Sequence, residues 1–205
     1  LSGGQGTGKT TISSIITIIL KKYFKLNVFK ISIDDFYKTR KERFLLSKKI
    51  HPLLMIRGVP GTHDVNFMLD FFKRAKTKKF RSLNLPRFNK AIDDRYSKKL
   101  WYSVKKKPDI IIFEGWCVGA RYEKSNTLNK PVNDLEKLKD KNLIWRRYVN
   151  KQLQSRYKDL YDQLNCLMYI KSKNFNLLQK WRIKQEKKLR LKNKRYNKFK
   201  IMSDK

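Results

Sequence analysis

Gly3-Gly4-Gln5-Gly6-Thr7-Gly8-Lys9-Thr10 stands at the start of the chain and matches the pattern G-x-x-x-x-G-K-[ST] in full. Glycines at these positions let the backbone wrap an anion, with successive N–H groups pointing inward. Lys9 is then placed to reach the β- and γ-phosphates of a nucleotide, and the Thr10 hydroxyl to hold Mg²⁺. Thr11 belongs to the same turn. The apolar run that follows, residues 10–24, ends in lysines and predicts a helix. Such a helix offers its positive N-terminal end to the same anion.

Two further stretches carry acids at strand ends. Residues 27–33 are short and β-branched and read as a strand, with Asp34 and Asp35 at its carboxyl edge. A carboxylate there points into the crevice where α/β sheets bind ligands. It can accept or orient the proton of an attacking hydroxyl, although an Asp in that place also serves as a helix cap. Residues 109–113 (DIIIF) form a continuous apolar run, as in a strand buried on both faces, and end in Glu114-Gly115. An apolar strand closed by an acid is the pattern that binds Mg²⁺ directly or through water; the plainer alternative is a strand-end acid on a loop.

Between these stretches, residues 40–49, 66–76 and 143–162 read as helices. Residues 82–88 read as a short extended segment limited by Pro86, and 164–170 as another buried strand. Strands alternating with helices imply a parallel sheet. The expected class is therefore α/β: a P-loop NTPase three-layer fold, mostly parallel, with helices on both faces and a helical lid. Residues 1–205 form one domain, and the basic stretch 172–200 is the expected lid region within it. The phosphate turn begins at Gly3 with almost no strand before it, and the chain stops at Ile201–Lys205 without completing an element. We expect a fragment lacking most of the first strand and the C-terminal element.

Lys and Arg number 51 against 17 Asp and Glu, a formal net charge of +34 over 205 residues. A basic surface attracts polyanions. Here lysine far outnumbers arginine, and Asn and Ile are abundant, as an AT-rich coding sequence would produce; nucleic-acid surfaces favour the arginine fork. No stretch approaches the length of a membrane-spanning helix. Cys117 and Cys166 lie far apart without metal-ligand spacing, which suits reduced thiols and a cytoplasmic location.

The loop Arg57-Gly58-Val59-Pro60-Gly61-Thr62-His63-Asp64 supplies acceptor-site candidates. Arg57 or Arg87 offers a planar fork for a carboxylate. His63 and Asp64 are candidates for hydrogen bonds to substrate hydroxyls. Arg182, beside Trp181 in the basic stretch, is the candidate lid arginine that neutralises charge on a transferred phosphoryl group. Trp116 and Trp181 read as packing residues.

Taken together, several motifs resemble the D-glycerate 3-kinase group of P-loop kinases, itself similar to the uridine kinase, phosphoribulokinase and pantothenate kinase set. They are the 3–10 turn, Ser32-Ile33-Asp34-Asp35-Phe36-Tyr37-Lys38-Thr39 with Arg43, the 57–64 loop, Leu85-Pro86-Arg87-Phe88-Asn89-Lys90, Ile112-Phe113-Glu114-Gly115-Trp116, and Trp181-Arg182 with Gln185-Glu186. The resemblance implies transfer of the ATP γ-phosphate to the 3-hydroxyl of D-glycerate. It implies Asp34 as catalytic base and Glu114 as the Mg²⁺ acid. Asp35 is the fallback base, and Asp35 and Tyr37 join the acceptor-side candidates. One departure stands out. The group tends to read Asp-Lys-Ser and later Gly-Asp-Arg where this chain has Asn89-Lys90-Ala91 and, at shorter spacing, Asp93-Asp94-Arg95. The expected partner is a small molecule, glycerate first, with a nucleoside, pantothenate or sugar phosphate as alternative acceptors. A nucleic-acid-dependent ATPase is the competing class, and no stacking motif or helix-turn-helix supports it.

Overall fold

The structure is a computed structural model, and it describes residues 1–172, 174, 176–181, 183, 184 and 187. Its centre is a small parallel sheet. Strand β1 (Ser2–Gly3) leads through the phosphate turn into helix α1 (Lys9–Lys22), and β2 (Val28–Ser32) follows. Helices α2 (Arg40–Lys49) and α3 (Val65–Lys76) precede two short antiparallel pairs. These pairs are β3 (Leu83–Leu85) with β6 (Tyr102–Val104), and β4 (Phe88–Asn89) with β5 (Asp94–Arg95). Strand β7 (Ile110–Glu114) returns to the centre; helices α4 (Asp134–Lys139), α5 (Ile144–Gln154) and α6 (Arg156–Tyr161) then lead to β8 (Tyr169–Ile170).

β2 and β7 pair in parallel from Val28↔Ile110 to Ser32↔Glu114. A parallel bridge from Gly115 to Ser2 joins that pair to β1, and β1 pairs with β8 at Ser2↔Tyr169 and Gly3↔Ile170. The order is β2-β7-β1-β8, all parallel, so every strand's carboxyl end meets the phosphate turn at one edge. Of the expected first strand, Ser2 and Gly3 are present and paired.

The core fills one face of this sheet. α3 buries Val65, Met68, Phe71, Phe72 and Ala75, the stripe that a 3.6-residue period produces. Phe72 packs edge-on against Phe113 of β7 with ring centroids 5.5 Å apart. α3 starts at Asp64, whose carboxylate accepts from the Phe67 N–H at 3.2 Å. α2 opens with a capping box: Thr39 and Glu42 each accept from the other's backbone N–H.

Several expected elements are subdivided. The stretch 143–162 breaks at Ser155, which leaves helical geometry (φ −108°, ψ −111°) while its hydroxyl donates to the Lys151 carbonyl at 2.9 Å. The break turns α6 so that Tyr157 and Leu160 are both fully buried. Pro86 divides the 82–88 segment into β3 and the start of β4, since it has no N–H to give a ladder. The strand expected over 164–170 narrows to Tyr169–Ile170. Asp34 and Asp35 sit inside a 3₁₀ turn, Ile33–Phe36, whose first N–H groups are met in part by the Ser32 hydroxyl. α1 packs on β2 and β7, lays Ser13 against the sheet and leaves Ile15, Ile18 and Ile19 exposed. Among the described residues no helix is long and apolar enough to cross a membrane. Of the expected basic lid, residues 176–181 are helical.

Gly115 lies where β7 passes under the 3₁₀ turn, and a Cβ built on it would sit 2.3 Å from Ile33 Cγ2 and 3.1 Å from Val118 Cγ2. Gly115→Ala should therefore cost about 1–3 kcal/mol by overpacking, read as a Tm several degrees lower in thermal unfolding.

Candidate active site

The phosphate turn takes its shape from glycine. Gly6 and Gly8 lie at φ +84° and +83°, in the left-handed region that other residues avoid. Gly8 then caps α1, and the Thr7 hydroxyl donates to the Gly4 carbonyl at 2.8 Å. The Lys9 ammonium folds back onto the loop, donating to the carbonyls of Gly3 (2.8 Å) and Gly4 (2.7 Å). Burial lowers its pKa, and the nearby carboxylates of Glu114 and Asp34 oppose that shift. A cavity of about 450 Å³ opens over Gly6–Thr11 and is also lined by Trp181 and Lys184. Arg182 itself lies outside the described residues.

Glu114 ends β7, largely buried, and accepts from the Thr10 hydroxyl at 3.3 Å. A hydroxyl beside a carboxylate is a hard-oxygen pair, which suits Mg²⁺ shared with nucleotide phosphates. Among the described residues no cluster of three or more His, Cys, Asp and Glu side chains forms an all-protein metal cage. Mg²⁺ in such sites needs only one or two protein oxygens, so the Thr10–Glu114 pair fits it.

The two aspartates beside this pair are driven in opposite directions. Burial is the largest influence on Asp34 and works against its charge. The Lys90 ammonium, 2.6 Å from Asp34 Oδ2, and the Tyr37 hydroxyl outweigh that influence and hold Asp34 below the usual carboxylate range. Among the described residues Asp35 accepts only the Phe88 N–H, at 3.3 Å, and burial pushes it up to about 6. Lys90 enters the sequence reading only as part of a motif that departs from the group's pattern. Its spacing from Asp34 gave no signal, because the β4–β5 hairpin brings the two together across 56 residues.

The remaining acceptor candidates divide. Tyr37 is buried and its ring stacks on His63 with centroids 4.4 Å apart. The Tyr157 hydroxyl accepts from the Gly61 N–H at 2.9 Å and lies 2.6 Å from His63 Nδ1. His63 Nε2 has no hydrogen-bond partner among the described residues. Burial pushes the His63 pKa down to about 3, so the ring is neutral. The structure thus seats His63 beneath the cleft surface, under Tyr37. Asp64 is used as the α3 cap and as a partner of Arg95 at 3.2 Å. Arg57 pairs with Asp93, which also binds the fully buried Arg43 at 3.0 Å. Arg87 lies over the rings of Tyr96 and Tyr102 and donates to the Leu100 carbonyl at 3.3 Å.

A phosphate turn, an acid-ended neighbouring strand and this strand order define the P-loop kinase fold. No family model matches the chain. It is 29% identical over 194 residues to an uncharacterized kinase of Schizosaccharomyces pombe, spanning 91% of this chain and 68% of that protein. It is 31% identical over 195 residues to the chloroplastic D-glycerate 3-kinase of Arabidopsis thaliana, spanning 90% of this chain and 40% of that protein. Among solved structures, the D-glycerate 3-kinase from Cryptococcus neoformans var. grubii superposes with a TM-score of 0.82 at 25% identity, over 99% of this chain and 71% of that one. The chain is thus similar to D-glycerate 3-kinases in sequence and in fold, the resemblance its motifs carry.

The opposed aspartates are open to direct test. A carboxyl ¹³C titration should place Asp35 near pH 6 and Asp34 below the ordinary range. The folded chain holds the Asp35 proton more tightly than the unfolded chain does. Its contribution to stability is therefore full below its ordinary pKa of 3.8 and lost as the pH rises through about 6. Asp35→Asn should remove that component from the pH dependence of Tm, and two ordinary midpoints near 3.8 would contradict the assignment.

Proposed function

We propose that this protein transfers the γ-phosphate of ATP to the 3-hydroxyl of D-glycerate, and that it does so as a cytoplasmic enzyme. The observation that carries the reading is the meeting of Lys9, Thr10, Glu114 and Asp34 at one edge of the parallel sheet, where Thr10 touches Glu114 and Asp34 and Glu114 both act on the Lys9 charge. Similarity to D-glycerate 3-kinases supports the choice of acceptor.

Phosphoryl transfer asks the protein mainly for position and charge. The inward N–H groups of Gly3–Thr11 and the Lys9 ammonium bind the phosphates, the ammonium leaving the Gly3 and Gly4 carbonyls to do so. Thr10 and Glu114 would hold Mg²⁺, which neutralises charge on the β- and γ-phosphate oxygens when bound. Asp34 takes the proton of the attacking 3-hydroxyl, and its ionised state at neutral pH suits it to that role. Asp35, ionised above about pH 6, accepts a hydrogen bond from a hydroxyl of the acceptor. Tyr37 lines the acceptor side. His63 and Asp64 support Tyr37 and α3 from below. Of the two arginine candidates for the carboxylate, Arg57 is held by Asp93 and Arg87 lies over Tyr96 and Tyr102, so either would have to leave those partners to bind it; Arg182 is assigned to the lid.

Asp34→Asn should lower kcat by about two to four orders of magnitude while ATP affinity survives; an unchanged kcat would move the base elsewhere. In a coupled ADP assay over glycerate, nucleosides, pantothenate and sugar phosphates, D-glycerate should give the highest kcat/KM. Preference for another acceptor would replace the assignment, and ATPase activity stimulated by nucleic acid and lost with salt would favour the competing class.

A further inference from the structure

We infer that Lys90 binds the carboxylate of the acceptor, and that its departure from Asp34 to that carboxylate is what frees Asp34 to act as base. The inference rests on the anionic-acceptor reading above and adds a residue and an order of events to it.

In the structure the ammonium of Lys90 blocks the oxygen that would receive a proton: Nζ lies 2.6 Å from Asp34 Oδ2. The Lys90 side chain is 61% exposed while that of Asp34 is 28% exposed, so the lysine covers the aspartate from the solvent side. The arginines around it are committed to other groups. Arg43 is buried on the carbonyls of Lys38, Met55 and Asp93 and on the Asp93 carboxylate. Arg57 holds the same carboxylate, and Arg95 holds Asp64 and the Tyr37 carbonyl. Lys90 is thus a solvent-facing cation whose present partner is the base itself.

The backbone that carries Lys90 is fixed. Asp93, in the left-handed region at φ +57°, is clamped by Arg43 and Arg57, and Arg57 also reaches the Lys90 carbonyl at 3.5 Å. Only the four-carbon stem has to move, and lysine is a flexible point charge suited to that exchange. A substrate carboxylate offers an equivalent anion at the cleft mouth. Once Lys90 has moved, Asp34 faces Lys9, Asp35, Tyr37, neutral His63 and Cys117 and has lost its nearest cation. The hydroxyl proton then passes to Asp34 as the new O–P bond forms and the bond from the γ-phosphorus to the ADP oxygen breaks, with ADP as leaving group. An acceptor without a carboxylate leaves the lysine in place and the base masked, so recognition and activation are one event.

The test compares wild type, Lys90→Met and Lys90→Arg with D-glycerate and with glycerol, which lacks the carboxylate. A charge-assisted contact of this kind is worth about tenfold to a hundredfold in affinity. Lys90→Met should therefore raise the glycerate KM by about that factor, with the ATP KM little changed, and should erode the preference for glycerate over glycerol. Lys90→Arg should recover part of both. In wild type the acid limb of kcat, which reports the complex, should lie at higher pH than that of kcat/KM, which reports the free enzyme. In Lys90→Met the two limbs should converge. If wild type phosphorylates glycerate and Lys90→Met keeps its KM and its pH limbs, this inference is overturned and the function stands. If wild type phosphorylates no carboxylated acceptor, both fall together.

Discussion

The parallel register of β2 against β7 is the constraint on which the rest of the structure depends. Pairing Ser32 with Glu114 brings two strand ends level, and the bridge from Gly115 to Ser2 ties that level to the phosphate turn. A parallel ladder slipped by one residue would reverse which side chains face the core. The buried Ile31 and Phe113, and the glycine that admits Ile33 Cγ2, hold the register in place. Once it is set, Thr10 meets Glu114 and the 3₁₀ turn presents Asp34 and Asp35 to the same cleft.

Around that cleft the chain separates two adjacent carboxyl groups into different states. Asp34 gains a lysine and stays charged, while Asp35 gains one backbone N–H and keeps its proton to about pH 6. Pairs of acids whose surroundings push them apart can divide the work of accepting and donating hydrogen bonds. On the proposed reading Asp34 accepts the proton, and Asp35, ionised above about pH 6, accepts a hydrogen bond from the substrate. Beneath them, the buried contact of His63 with Tyr157 and the stacking of Tyr37 on His63 stiffen the floor on which both act.

Much of this was legible in the sequence because it is local. The 3–10 turn, the apolar run 109–113 and the acids at both strand ends announce themselves by spacing alone. What could not be read depends on distant residues meeting. Lys90 reaches Asp34, Asp93 joins Arg43 to Arg57, and Tyr157 joins His63, all across the fold. The arginine fork at residue 57 has the chemistry of a carboxylate clamp, but its use by Asp93 depends on a left-handed turn that the sequence does not reveal. The break at Ser155 was hidden for a similar reason: helical spacing continues across it, and only the burial of Tyr157 and Leu160 shows why the axis turns.

The central claim is that Thr10 and Glu114 complete a nucleotide-phosphate and Mg²⁺ site built on the 3–10 turn. The most direct measurement is calorimetric titration of ATP into wild type and Glu114→Gln, each with Mg²⁺ and with EDTA. The account predicts that Mg²⁺ tightens ATP binding to wild type, and that Glu114→Gln loses this gain while its affinity in EDTA stays close to that of wild type. A Mg²⁺ gain of the same size in both proteins would contradict it.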